Sequence, residues 1–333
     1  MPKVSVIMSV YSERIDWIKQ SIDSILNQTF RDFEFIIVND NPERKENALL
    51  LEEYAKKDPR ICVLTNETNI GLTKSLNKAL AVAKGEYIAR MDADDISLPE
   101  RFSKQINYLD SHKDINVLGS YVRHINENGE MCSIKKMSNS SINLRSMILL
   151  DVPVVHPVVL FRRFINGKQV FYDESFRYAQ DYALWASLIK DCKFTNLKDV
   201  LLFYRVSSSQ ISQKNLNLQN ECAKRVLDTV IDNYKLNCND DIKESLMSVS
   251  KVNTMQFDKD LTYSNIRTFV TLNKDNKYCD VMYLLDRLLI QYLYKVRCKY
   301  GRLLSIRQLF RIYKDFRVSS LKTQLLLLKV CIF

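Results

Sequence analysis

The chain has 333 residues, 46% of them hydrophobic and 26% charged, a balance found in ordinary folded domains rather than in disordered or fibrous chains. That length accommodates one large domain, or one domain with an appendage. The net charge of +10 is unevenly placed: residues 281–333 hold eleven Lys/Arg against Asp286 and Asp315, so this segment alone carries about +9 and the remainder is near neutral.

No apolar run approaches the roughly 18–20 residues that a membrane-spanning helix needs. The first residues, MPKVSVIMSVY, are too short and too strand-like for a secretory signal. Eight cysteines are scattered without a CxxC pair, and His112, His124 and His156 are not spaced with cysteine as ligands. A disulfide scaffold and a structural zinc site are therefore both disfavoured, and a reducing, cytoplasmic setting is expected.

Taken in chain order, the first 110 residues alternate between two periods. VSVIMSV (4–10) is a short β-branched run that reads as a buried strand. Ile15, Ile18, Ile22, Ile25 and Leu26 follow at helical spacing. FEFIIV (33–38) is a second strand, 43–57 a second helix and ICVLT (61–65) a third strand. Gly71 precedes a helix through Leu72, Leu76, Leu80 and Val82, with Gly85 as its stop. EYIARM (86–91) is a fourth strand, and Pro99 sits where a helix would begin. Further on, 115–125 reads as strand, 154–163 as an apolar run broken by Pro157, and 178–190 as a helix with Asp181 in its first turn. From about 215 the periodicity is helical.

Such alternation predicts an α/β fold with a mostly parallel sheet and helices on both faces. Ligands of these sheets bind beyond the carboxyl ends of the strands. Tyr11-Ser12-Glu13, Asn39-Asp40-Asn41 and the cluster Asp92, Asp94, Asp95 all fall at those ends. On an extended segment Asp92 and Asp94 face the same way, and carboxylate oxygens suit Mg²⁺ or Mn²⁺. A solvated loop with a helix cap is the plainer reading of such a cluster. Asp40 is open to two readings, a ligand acceptor or a turn residue before Pro42. Tyr11 suits stacking on a planar ring or packing at a strand end. Asp181 suits a general base, or a carboxylate placed by the helix dipole. Lys74 is a phosphate partner or a solvated lysine, and His156 a substrate contact or a structural residue. Trp17 and Trp185 read as core.

A redox dinucleotide site is excluded by six glycines in all and no GxGxxG after the first strand, and no GK[ST] phosphate loop occurs. A sugar-phosphate nucleotidyltransferase would need a Gly-rich, basic signature after that strand, which YSERIDW is not.

VSVIMSVYSE, SILNQTFRDFEFIIVNDNP and NIGLTKSLNKALAVAKGEYIARMDADDISLPERF together resemble family 2 glycosyltransferases of the GT-A fold, nearly continuously over 3–105. HPVVLFRR, FRYAQDYALWASL and LLFYRVSSSQIS resemble the family's acceptor-side half over 150–205. The resemblance implies inversion at the anomeric carbon of a nucleotide-diphosphate sugar, with a UDP-sugar as the expected donor and Mn²⁺ or Mg²⁺ as cofactor. It implies that Val10, Tyr11 and Glu13 line the nucleobase pocket, that Asp40 meets the base, that Asp92 contacts the donor and that Asp94 binds the metal; Lys74, from its place near Gly71, is a further candidate donor contact. It makes Asp181 the catalytic base, and Gln180 stands beside it where the family often has Glu. Asp95, His156 and Gln180 are further candidate contacts to donor or acceptor. The expected acceptor is a glycan or lipid-linked glycan of capsule or O-antigen type.

The domain reading that follows is a GT-A domain over 1–215, with a nucleotide-sugar half (1–110) and an acceptor half (111–215), then a basic helical region over 216–333. The Leu/Tyr/Phe and Lys/Arg mixture of 281–333 suits an anionic membrane surface, which would make the protein peripheral on the inner face of the cell membrane, or a helical appendage with a solvated basic face. No nucleic-acid motif appears. A polyanion- or membrane-binding protein with a vestigial site is the non-enzymatic alternative.

Overall fold

A computed structural model describes residues 1–207, 216–250, 257–316 and 321–332. Residues 208–212 of the LLFYRVSSSQIS run lie outside the described residues. Two compact units emerge: Met1–Ser141 with Pro153–Leu216, and Ile142–Val152 with Asn217–Phe333.

The first unit begins with β1 (Val4–Val10), every residue of which is buried. Helix α1 (Ile15–Leu26) turns Trp17, Ile18, Ser21, Ile22 and Ile25 inward, as its spacing requires. β2 (Phe33–Asn39), α2 (Lys45–Lys57), β3 (Ile61–Thr65), α3 (Leu72–Val82) and β4 (Tyr87–Arg90) follow. All pairings among these four strands are parallel: Val10 lies beside Asn39, Asn39 beside Thr65 and Ile7 beside Arg90. Their order is β3-β2-β1-β4, so successive connections leave β1 in opposite directions. In sheets of this kind, ligands bind where the order reverses, here beyond the carboxyl ends of β1 and β4.

The remaining strands of the sheet are β5 (Ile96–Ser97), β6 (Val117–Ile125), β7 (Met131–Lys135), β8 (Leu160–Arg162) and β11 (Phe194–Arg205). A separate small hairpin joins β9 (Phe164–Ile165) to β10 (Lys168–Gln169). The order continues β4-β8-β6-β11-β5, with β7 on β6. Parallel pairing thus describes the first half of the sheet. In the second half only β6 and β11 run parallel, because β8 enters antiparallel to both β4 and β6 and β5 runs against β11. Helices α4 (Arg101–Ser111), α5 (Ser141–Met147) and α6 (Gln180–Leu188) complete this stretch of chain.

Two local readings change. Pro99 lies before α4 rather than opening it: Arg101 is its first residue, and the Arg101 N–H donates to Leu98 O at 3.0 Å in a turn that contains the proline. Gly85 does not end α3 by a left-handed turn. It lies against β1, where a Cβ would stand 2.4 Å from Ser5 N, and its N–H donates to Ser5 Oγ at 2.8 Å. Close backbone approach, not helix termination, requires glycine there.

The second unit is helical: α7 (Leu216–Tyr234), α8 (Asp240–Val249), α9 (Lys259–Asn273), α10 (Val281–Tyr300), α11 (Arg302–Asp315) and α12 (Leu321–Ile332). Asn239, Asp258 and Asp280 accept N–H bonds from the first turns of α8, α9 and α10, the expected role of Asn and Asp at helix starts. Residues 142–152, read from sequence as acceptor-side, pack in this unit.

Candidate active site

The site is built at the carboxyl ends of β1, β2 and β4. After β4 the chain does not stay extended. Residues 92–95 form a turn, with Asp95 N–H donating to Asp92 O at 3.4 Å. This turn, rather than strand alternation, gathers the acids: one oxygen each from Asp92, Asp94 and Asp95 lie within 4.8 Å of one another.

Crowding shapes their chemistry. Burial pushes the Asp94 carboxyl up to about 7, and repulsion from Asp92 and Glu13 adds to it. Burial also lifts Asp95 well above the usual carboxylate range, with Asp94 and Asp92 repelling it. Asp95 Oδ1 accepts from Arg205 N–H at 2.8 Å, while its buried Oδ2 has no hydrogen-bond partner. Asp92 is held from beneath by Arg90, whose buried guanidinium pairs with the Asp92 carboxylate and donates to Met91 O. The donor set fits a hard divalent cation: three clustered carboxylates, one buried oxygen unpartnered, and an ionised state that needs positive charge.

The strand-β1 end contributes Glu13 and Tyr11. Glu13 accepts from Tyr11 N–H at 2.8 Å, and burial first, then Asp92, raise its carboxyl. The Tyr11 ring is 42% exposed, so it is available to a planar ligand. Asp40 is instead buried at the end of β2. Its carboxylate accepts from Asn66 Nδ2 at 2.8 Å, Ile70 N–H at 2.9 Å and Gly71 N–H at 3.0 Å. It therefore fixes the turn at Gly71, whose φ of +87° suits glycine. Lys74 is exposed on the first turn of α3. Val10 is buried as the last residue of β1.

Asp181 and Gln180 open α6, behind Ala179 in a left-handed conformation (φ 54°). The Asp181 carboxylate accepts from Tyr182 N–H at 2.8 Å. Burial raises its pKa, Asp92 repels its charge, and Lys135 partly offsets this. Asp181 and Asp92, far apart in sequence, thus act on one another. Burial raises the Tyr204 hydroxyl too, and Asp95, Asp92, Asp94 and Asp181 all push it the same way. The four acids share one electrostatic environment around Tyr204. Helix α3 sets the approach to α6: Asn77 exchanges bonds of 2.9 Å with the backbone of Tyr172, and Thr73 Oγ1 donates to Phe176 O at 2.8 Å.

His156 is buried rather than presented to a ligand. Its Nε2 lies 2.7 Å from the Tyr172 hydroxyl, and burial holds its pKa well below the ordinary imidazole value, with Arg90 adding to the effect. Asp95 is likewise enclosed. Trp17 and Trp185 are buried as expected. Sequence reasoning missed Arg90, Tyr204, Arg205 and Lys135. Arg90 carried a signal, a charge inside a strand two residues before Asp92. Arg205 carried none: it reaches Asp94 O at 2.8 Å and Gln20 Oε1 at 2.8 Å only because β5 pairs with β11.

The architecture is that of the GT-A glycosyltransferases, and S. aureus TarS 1–349, solved in complex with UDP-GlcNAc, superposes with a TM-score of 0.60 at 18% identity over 94% of this chain and 92% of that one. The sequence pattern described as Glycosyl transferase family 2 matches residues 5–169. An uncharacterised glycosyltransferase of Methanocaldococcus jannaschii is 38% identical over 72% of this chain and 82% of its own length. The O-antigen biosynthesis glycosyltransferase WbnJ of Escherichia coli is 37% identical over 66% of this chain and 85% of its own. The chain belongs to glycosyl transferase family 2.

Proposed function

We propose that the protein is an inverting, metal-dependent glycosyltransferase that moves a sugar from a UDP-sugar to a hydroxyl of a glycan or lipid-linked glycan in surface-polysaccharide synthesis. The name of WbnJ and the UDP-GlcNAc bound to TarS support the donor and pathway class. The observation that carries the reading is the mutual action of Asp92 on Glu13, Asp94 and Asp181, acids from three distant segments.

In this reading Tyr11 stacks on the base, and Asp40 secures the Gly71 turn beside it. Asp94, supported by Asp92 and Asp95, would hold Mg²⁺ or Mn²⁺, which when bound offsets charge on a departing diphosphate. Arg90 fixes the Asp92 carboxylate toward the donor. Asp181 takes the proton of the acceptor hydroxyl as that oxygen bonds to the anomeric carbon. The bond to the diphosphate breaks on the opposite face, so a single displacement inverts the centre. A raised pKa makes Asp181 a better base than an ordinary carboxylate.

Isothermal titration with UDP, with and without Mn²⁺, tests the donor site, and Asp181→Asn tests the base. The variant should keep UDP affinity within about threefold while transfer falls by roughly 10²–10⁴. Near-normal turnover would remove Asp181 as base. UDP binding indifferent to metal would remove the metal-dependent reading.

A further inference from the structure

We propose that the outward faces of α11 and α12 dock on an anionic lipid bilayer. This deepens the peripheral-membrane expectation for 281–333 and is independent of the transferase reading. Among the described residues no helix is long and apolar enough to cross a membrane, so the contact is one of lying on the surface.

α11 buries Ser305, Gln308, Leu309 and Ile312, and turns its opposite face out. On that face Leu303 is 81% exposed and Phe310 70% exposed. Seven residues apart, they stand at nearly the same azimuth of the helix. Arg307 lies about 40° to one side of Leu303 and Arg302 about 100° to the other. An apolar centre between two guanidiniums is the pattern that sinks side chains among acyl chains while its cations reach lipid phosphates.

The next helix repeats it. α12 buries Leu327 and Cys331 and exposes Leu325 and Leu328 beside Lys329. α11 and α12 pack on each other and on α10, so both outward faces point away from the same core. Tyr313 Oη donates to Gln324 O at 3.1 Å between them.

Charge decides the occupant. Among the described residues Arg302 and Arg307 have no ion-pair partner, whereas neighbouring Arg311 pairs with Asp260 at 3.0 Å. The acid of α11, Asp315, is turned to Tyr263 and Arg267. A second copy apposed by twofold symmetry would set these arginines against themselves. An anionic bilayer satisfies both the apolar and the cationic parts.

The test is sedimentation of the full chain with vesicles of phosphatidylcholine containing phosphatidylglycerol, at low and high salt. Binding should be salt-sensitive and weak to pure phosphatidylcholine. Arg302→Gln/Arg307→Gln should weaken it by about 30-fold, near fivefold per arginine. Leu303→Ser/Phe310→Ser should weaken it by roughly tenfold or more. All four side chains are exposed, and unchanged helical circular dichroism and UDP binding would verify an intact fold in each variant. The proposal is overturned if the chain does not sediment with anionic vesicles, or if neither double variant alters binding. It is also overturned if sedimentation velocity shows a dimer that Leu303→Ser/Phe310→Ser dissolves while vesicle binding is absent. In every such case the donor-site reading stands or falls separately, by UDP titration.

Discussion

Replacing Asp94 by Asn should make the metal-free protein more stable at pH 8 while removing its response to Mn²⁺. In the fold this carboxyl titrates at about 7, against 3.8 ordinarily, because burial and the charges of Asp92 and Glu13 disfavour its ionised form. A folded-state pKa above the unfolded one means that the native state binds more protons between those values. Stability contributed by the group is therefore full below about pH 4, falls as pH rises toward 7, and stays low above. A displacement of that size corresponds to about 4 kcal/mol against the charge, of which roughly 2.5 kcal/mol is lost between pH 5 and pH 8. Solvent reaching a partly exposed side chain reduces this to about 1–2 kcal/mol. The assay is thermal unfolding followed by tryptophan fluorescence in EDTA. Both tryptophans, Trp17 and Trp185, lie in the unit that carries the site, so the signal reports that unit. Asp94→Asn should gain roughly 2–6 °C on wild type at pH 8 and clearly less at pH 5. Mn²⁺ should raise the midpoint of wild type at pH 8 and leave the variant nearly unmoved. A variant that melts no higher than wild type at pH 8, or that keeps the full Mn²⁺ shift, would refute the reasoning.

Asp40→Ala should lower the stability of the same unit by about 1–3 kcal/mol, since Asn66, Ile70 and Gly71 all lose their acceptor, and should weaken UDP binding through the loosened Gly71 turn; urea unfolding and UDP titration measure the two effects. Gly85→Ala should cost roughly 2–3 kcal/mol or more, because its Cβ would meet the β1 backbone 2.4 Å away at Ser5 N. Unfolding in urea should show a lower midpoint with an unchanged slope.

Much of the fold was legible because its signals are local. β1 and β3 match the sequence reading residue for residue, and α3 runs from Leu72 to Val82 as the leucine spacing implies. β-branched runs and 3.6-residue periodicity need no partner to be recognised. The switch point between β1 and β4 rests on the strand order, which the alternation of elements alone does not specify. Long-range pairing was not legible. β5 is two residues long, and nothing in ISLP announces that it pairs with Leu202 and Phe203 more than a hundred positions later. That pairing delivers Arg205 to Asp95. The three aspartates were visible as a cluster, but their gathering by a turn rather than by strand alternation depended on backbone geometry that composition does not encode. His156 shows the converse. A histidine before proline in an apolar run reads equally as ligand or core, and only its enclosure with Tyr172 and Trp185 decides.

The acid cluster has a physical consequence that no single residue carries. Glu13, Asp92, Asp94, Asp95 and Asp181 act on one another, and each of those with a displaced pKa is displaced upward. A site built only for stability would pair such charges or bury apolar side chains instead. Here Arg90 is committed to Asp92 and Met91 O, while the Arg205 guanidinium goes to Gln20 Oε1 and to the carbonyls of Asp94, Asn126 and Glu127, and it is the Arg205 backbone N–H that reaches Asp95. Neither guanidinium satisfies Asp95 Oδ2. The positive charge supplied by the chain therefore pairs with Asp92, and among the described residues no ion pair is made by Asp94 or Asp95. In the proposed reading a divalent ion arriving with a diphosphate would supply the charge that the polypeptide itself leaves out. Filling that deficit with another fixed arginine would stabilise the resting fold and remove the preference for the cation on which the proposed chemistry depends.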